Sequence, residues 1–121
     1  MKVTDELVAN VRSAIIGELE LLTDPEAQQA YERNVPIADV PAELFCGWFD
    51  DTYHPTSPAF IQAFSEDERR ILAEFNECFD SASNEIGKYP PPLAELQELP
   101  AWKRVVSTAQ TTLERLRALA A

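Results

Sequence analysis

The side chains that could do acid/base chemistry are concentrated at Asp50-Asp51 and His54. If this segment is helical, Asp50 and His54 are four residues apart and lie side by side on one face. A carboxylate that orients an imidazole is half of an acid/base apparatus. The sequence has no nucleophile elbow, glycine-rich phosphate loop or zincin motif to complete it. We therefore expect Asp50 and His54 to close a helix end before Pro55, and a small hydrolase or metal enzyme using Asp50, Asp51 and His54 is the alternative.

The acidic residues do not follow the spacing of a known metal site. Di-iron helical bundles place a Glu-x-x-His motif on each of two helices, whereas the single histidine here lies three residues after Asp51. Cys46, Cys78 and His54 lack the spacing of a closed zinc set, and no EF-hand loop is present. The sequence therefore predicts no catalytic residues, no metal and no cofactor.

Aromatic residues are concentrated in the centre of the chain, where positions 45–64 hold six of the eleven. Phenylalanine is mostly buried in folded proteins, so the four in this stretch are expected in the core: Phe45, Phe49, Phe60 and Phe64. Trp48 and Tyr53 carry a polar group that tolerates an interface. Beside Asp50 and Asp51 they would have the composition of a binding hot spot.

The net charge of the chain indicates which classes of partner it can attract. The 121 residues include 21 acidic and 10 basic side chains, for a formal charge of −11. Nucleic acids and anionic membranes require basic surface, so the sequence predicts neither as a partner. The charge is uneven: residues 1–38 carry −4, residues 39–85 carry −9 and residues 86–121 carry +2.

The acidic centre favours a basic protein partner, because such a face accelerates encounter with opposite charge. The alternatives are a solvated surface that only favours solubility, and a nucleic-acid mimic that binds DNA-binding proteins generally. Glu74 and Glu77 are expected to face solvent beside an apolar helical stripe. The predicted contacts are Trp48, Asp50, Asp51, Tyr53, Glu66, Asp67, Glu74 and Glu77. The oligomeric state is not predicted.

Apolar residues recur at helical spacing, alternating β-branched runs are missing, and the prolines fall between periodic segments. The clearest helix begins at the capping box Ser65-Glu66-Asp67-Glu68 and ends at Gly87. The first helix begins at Thr4 or Asp5. The sequence predicts an all-α fold: one domain over 1–121, a compact helical bundle of four main helices with short connecting helices.

Capping residues and prolines mark the other helices. The second is capped by either Thr23 or Asp24. The expected elements are a helix over 25–33, one from Pro41 to near Tyr53, a short helix after Ser57-Pro58, one or two turns after the proline connector 89–92, and a last helix from Pro100.

The N-terminal residues lack the basic and apolar regions of a secretory signal, and the apolar runs are too short for a membrane span. A cytoplasmic location is expected. In that compartment Cys46 and Cys78 are expected to be reduced thiols that act as small buried hydrophobes.

Two segments in the middle of the chain, 47–55 (GWFDDTYHP) and 60–68 (FIQAFSEDE), are followed by 72–76 (LAEFN) and 95–102 (ELQELPAW). This stretch resembles small acidic bacterial proteins of immunity-type and uncharacterised families. The resemblance implies an inhibitor of a cognate toxin in contact-dependent or polymorphic-toxin systems. Such proteins commonly neutralise nuclease toxins by covering basic, substrate-binding surface with acidic residues. It assigns no individual residues.

Overall fold

Helices make up the computed structural model, which describes residues 3–120 and has no strand within that range. The all-α prediction is confirmed. The helices are α1 (Asp5–Leu22), α2 (Pro25–Asn34), α3 (Val40–Cys46), a π-helix (Gly47–Thr52), α4 (Pro58–Ala63), α5 (Glu66–Ile86), α6 (Leu93–Leu96) and α7 (Pro100–Ala120).

Side-chain caps define the starts of α1, α2, α3, α4 and α5. Asp24 accepts a hydrogen bond from the Ala27 N–H at 3.0 Å, so Asp24 rather than Thr23 is the N-cap of α2. The predicted capping box of α5 is confirmed: Ser65 Oγ accepts from the Glu68 N–H at 3.2 Å, and the Glu68 carboxylate accepts from the Ser65 N–H at 2.9 Å. Gly87 ends α5 with a φ of 99°, which favours glycine.

One cluster of buried apolar side chains connects the helices. α5 packs along α7, and α1 contacts α2, α4, α7 and the π-helix. Phe60 and Phe64 are buried as predicted, whereas Phe45 and Phe49 are partly buried and pack against the cluster. The largest fully buried side chains are Trp48, Trp102, Phe60, Phe64, Phe75, Phe79, Ile15, Leu19, Leu22, Leu44, Leu72 and Leu96.

An arginine–carboxylate pair joins α1 to the start of α5. The Arg12 guanidinium donates to both Glu68 carboxylate oxygens, at 3.1 and 2.7 Å, and to the Ala63 carbonyl at 2.9 Å. It also lies 4.9 Å from the centre of the Phe64 ring. The Arg12 hydrogen bond lowers the pKa of Glu68 despite partial burial, with the Ser65 N–H adding to the effect. One carboxylate thus caps α5 and attaches it to α1.

The helix predicted from Pro41 to near Tyr53 changes type at Gly47, where α3 continues as a π-helix. The Tyr53 N–H donates to the Trp48 carbonyl, five residues earlier, at 2.9 Å. The Trp48 and Tyr53 rings stack with centroids 4.8 Å apart and an interplanar angle of 10°. In an α-helix, the side chain of Thr52 would lie beside that of Trp48. The wider turn of the π-helix brings Tyr53 beside Trp48 instead, so the two rings can stack.

The cysteines are Cys46, which is exposed, and Cys78, which is partly exposed; both are free thiols. No disulfide joins them. The prediction that both are buried is wrong. Cys46 is the last residue of α3. None of the helices over residues 3–120 combines the length and hydropathy that crossing a membrane requires.

Candidate functional site

The charges of several acidic side chains of α5 are partly offset by nearby arginines. Arg70 lies 3.9 Å from the Glu66 carboxylate and 3.3 Å from that of Asp67. Glu74 forms an ion pair with Arg115 of α7. Glu66, Asp67 and Glu74 therefore contribute less negative potential than their sequence suggests.

The carboxylates between positions 18 and 51 lie in a different electrostatic environment. This segment has nine acidic residues and one basic residue, Arg33. None of the nine forms an ion pair with any basic side chain that the structure describes. We call this set the acidic segment: Glu18, Glu20, Asp24, Glu26, Glu32, Asp39, Glu43, Asp50 and Asp51.

Three members of the acidic segment line one cavity of about 320 Å³ between α1, α2, α3 and the π-helix. We call this cavity the acidic pocket. Leu21, Val40 and Leu44 supply apolar wall, and the carboxylates approach from separate elements. Its other lining residues are Glu18, Gln28, Tyr31, Glu43, Cys46, Gly47 and Asp51.

Glu18 is the most perturbed group in the acidic pocket. Its carboxylate lies against Gly47, where an added Cβ would come within 2.5 Å of the Glu18 Oε1. Burial, followed by repulsion from Asp51, raises the pKa of Glu18 to about 7. A carboxyl group with this pKa is partly protonated at neutral pH, and an approaching cation would favour its ionised form.

The pKa values of two other groups in the acidic pocket, Tyr31 and Cys46, are raised, as expected near negative charge. A hydrogen bond with Glu43 is the largest cause that raises the pKa of Tyr31. Desolvation, then Asp50 and further carboxylates, raises the pKa of the Cys46 thiol, which keeps it protonated. A thiol in these surroundings is a poor nucleophile. The pocket is therefore suited to attracting positive charge.

The raised pKa of Glu18 predicts a specific dependence of stability on pH. The folded protein retains a proton that the unfolded chain releases near the ordinary value of 4.5, so stability falls as the pH rises from about 4.5 to about 7. We expect Glu18→Gln to remove this loss and to be more stable than the unsubstituted protein by about 1–2 kcal/mol at pH 8, after discounting for partial exposure. Urea unfolding at pH 5 and pH 8 measures the difference.

Glu20→Gln is the matched control, because Glu20 is exposed on the same helix. Its stability relative to the unsubstituted protein should change little between the two pH values. A difference for Glu18→Gln that is the same at pH 5 and pH 8 would contradict the prediction.

The two aromatic residues predicted as binding contacts, Trp48 and Tyr53, are not both at the surface. Trp48 is 0% exposed, and its indole N–H donates to Asn76 Oδ1 at 3.0 Å. It is therefore not available as the exposed anchor that the sequence analysis expected; its polar group is satisfied inside the protein. Tyr53 is partly buried against Trp48 and Phe60.

The predicted acidic contacts divide between two surroundings. Asp50 and Asp51 are exposed on the π-helix and belong to the acidic segment, whereas Glu66, Asp67 and Glu74 face arginines. Glu77 is exposed on α5, as expected.

Asp50 and His54 do not form the side-by-side pair that a helix continuing through both residues would give. The π-helix ends at Thr52, and Tyr53 has an extended backbone with φ −89° and ψ 101°. His54 is exposed beyond that point, and no hydrogen bond or ion pair joins it to Asp50 or Asp51. The four-residue relation required a continuous helix, which this chain does not have here.

The contacts predicted from the sequence did not include Glu18, Tyr31 or Glu43. A helical-wheel reading could have found Glu18, because it lies three residues after Ile15 and four before Leu22, at the edge of the buried stripe of α1. Tyr31 and Glu43 meet only through the packing of α2 on α3. Over residues 3–120, no three His, Cys, Asp or Glu side chains are grouped so as to hold a metal ion.

The geometry and charge of the acidic pocket are the basis for assigning a function to this chain, because comparison with known proteins adds no assignment. No family model, curated protein or solved structure matches it.

Proposed function

We propose that this protein is a stoichiometric binding protein whose acidic segment receives a basic protein partner. We propose further that the partner is a bacterial toxin and the chain its immunity protein. The observation that supports binding is the set of nine carboxylates without ion-pair partners among the described residues, three of which converge on one pocket. The immunity role is supported by the resemblance of residues 47–102 to small acidic proteins of that type.

Electrostatics explains why this segment, rather than α5, is the better candidate for the interface. A carboxylate already paired with arginine offers an incoming cation little additional attraction, whereas an unpaired one gains a partner. Burial, and after it repulsion from Asp51, raises the pKa of Glu18. A lysine or arginine placed beside Glu18 and Asp51 would relieve their mutual repulsion, so binding would stabilise the most strained charges of the surface.

Charge reversal tests the location of the interface. We expect the triple change Glu43→Lys, Asp50→Lys and Asp51→Lys to slow association with the product of the adjacent gene by about tenfold or more, and to flatten its salt dependence. Stopped-flow or biosensor kinetics over a series of salt concentrations provides the measurement.

The matched control is Glu74→Lys, Glu77→Lys and Glu114→Lys, which alters net charge equally on exposed positions of α5 and α7. This triple should slow association much less. Equal slowing by both triples would show that only net charge matters and would contradict the proposed interface. No binding of the adjacent gene product by the unsubstituted protein would contradict the immunity role, and binding of many unrelated DNA-binding proteins would favour a nucleic-acid mimic.

A further inference from the structure

A second cavity, of about 440 Å³, lies between the α2–α3 loop and the proline connector. We call it the proline groove. One wall includes Ile37 and Ala38, and the other includes Pro90, Pro91 and Pro92. Prolines have no backbone N–H, so their wall offers apolar rings and carbonyl acceptors but no donors. A stiff connector of this kind is also ordered before anything binds it.

One large apolar side chain at this groove is almost fully exposed. Ile37, which lines the groove, is 98% exposed. Tyr89, next in sequence to the groove residue Pro90, is 83% exposed. An exposed isoleucine facing a wall of three prolines offers apolar surface to a partner.

The charges at the groove indicate what kind of segment would fit. Glu32 and Asp39 line it, and neither forms an ion pair with a described basic side chain. Val40 lines both this groove and the acidic pocket. The two cavities therefore lie on adjoining surface, and one partner can cover both.

We propose that the proline groove docks an extended segment of the basic partner, in which a large apolar side chain is flanked by lysine or arginine. The apolar side chain packs between Ile37 and the proline wall, and the flanking cations face Glu32 and Asp39. This inference rests on the proposed function, because it describes how the same partner is anchored. The groove adds an apolar contact to the interface, and this contact would distinguish the partner from other basic proteins, which charge alone does poorly.

A displayed library of random linear peptides, selected on the immobilised protein, tests the inference. We expect enriched peptides to carry an aromatic or large aliphatic residue flanked by lysine or arginine. Their affinity, measured by fluorescence polarisation, should fall about tenfold or more with Ile37→Ser. Asp39→Asn should weaken the basic peptides while keeping the α3 N-cap, because asparagine also caps helices well.

Ile61→Ser is the matched control, since Ile61 is a similarly large side chain, 45% exposed on α4. It should change affinity by less than about twofold. Circular dichroism verifies that each variant is folded. Ile37→Ser is expected to fold because Ile37 has almost no buried surface.

The outcomes separate this inference from the proposed function. Basic peptides that bind Ile37→Ser unchanged would overturn the groove and leave the acidic interface intact. Enrichment of apolar peptides that lack lysine or arginine would overturn the proposed occupant, and so would a selection that enriches no peptide. Binding of the adjacent gene product tests the acidic interface independently of these results. Sedimentation equilibrium detects self-association. If the protein self-associates and Ile37→Ser abolishes this, the occupant of the groove is a second copy of the chain, and the proposed occupant is overturned.

Discussion

Replacing Trp48 with alanine is expected to lower the free energy of unfolding by about 3–5 kcal/mol. Trp48 has no exposed surface, stacks on Tyr53 and meets the Phe75 ring edge-on with centroids 4.9 Å apart. Alanine would leave a cavity between the π-helix and α5, and the structure around such cavities relaxes only partially. Urea or guanidinium unfolding measures the loss.

A pair of tryptophan-to-phenylalanine changes separates packing from hydrogen bonding. The Trp48 indole donates to Asn76, whereas the buried Trp102 Nε1 has no hydrogen-bond acceptor among the described residues. We therefore expect Trp48→Phe to cost about 1 kcal/mol more than Trp102→Phe, the net contribution of one hydrogen bond. Equal costs would contradict the role of Asn76.

Replacing Arg12 with methionine is expected to destabilise the protein by about 2–4 kcal/mol, at the lower side of the range for buried pairs because Arg12 is partly exposed. The Glu68 side chain is only 10% exposed and would lose its charged partner. Arg70→Met is the control: its partners Glu66 and Asp67 are exposed, so its cost should stay below about 1 kcal/mol.

The loss of stability at low pH is a second measurement of the Arg12–Glu68 pair. Because the folded pKa of Glu68 is lowered, its stabilisation is present above the ordinary carboxyl pKa and is lost as the pH falls through the lowered value. Arg12→Met should therefore lose less stability than the unsubstituted protein on acidification. Identical acid limbs would contradict the assignment.

Local chemistry explains which parts of the fold could be predicted from the sequence. The Ser65 box and the Gly87 stop involve residues within a few positions of one another, and their types identify the geometry. The apolar stripes of α5 and α7 are likewise local patterns. All were recognisable without any knowledge of how the helices pack.

The errors arose where distant residues decide the outcome. Whether Trp48 is buried depends on Asn76 and Phe75 of another helix. The effective charge of Glu74 depends on Arg115, 41 positions away. The carboxylates with ion-pair partners and those without are indistinguishable in a linear count of charge, so the sequence could not separate the two sets.

The contact between α1 and α7 has a consequence for biosynthesis. These helices are separated by most of the chain, yet they pack against each other. During translation, α1 is made long before α7 leaves the ribosome, so the α1–α7 contact forms only after most of the described region has been synthesised. The part of α1 that α7 covers stays exposed in nascent chains until then, which makes this stage the one most open to chaperone binding and aggregation.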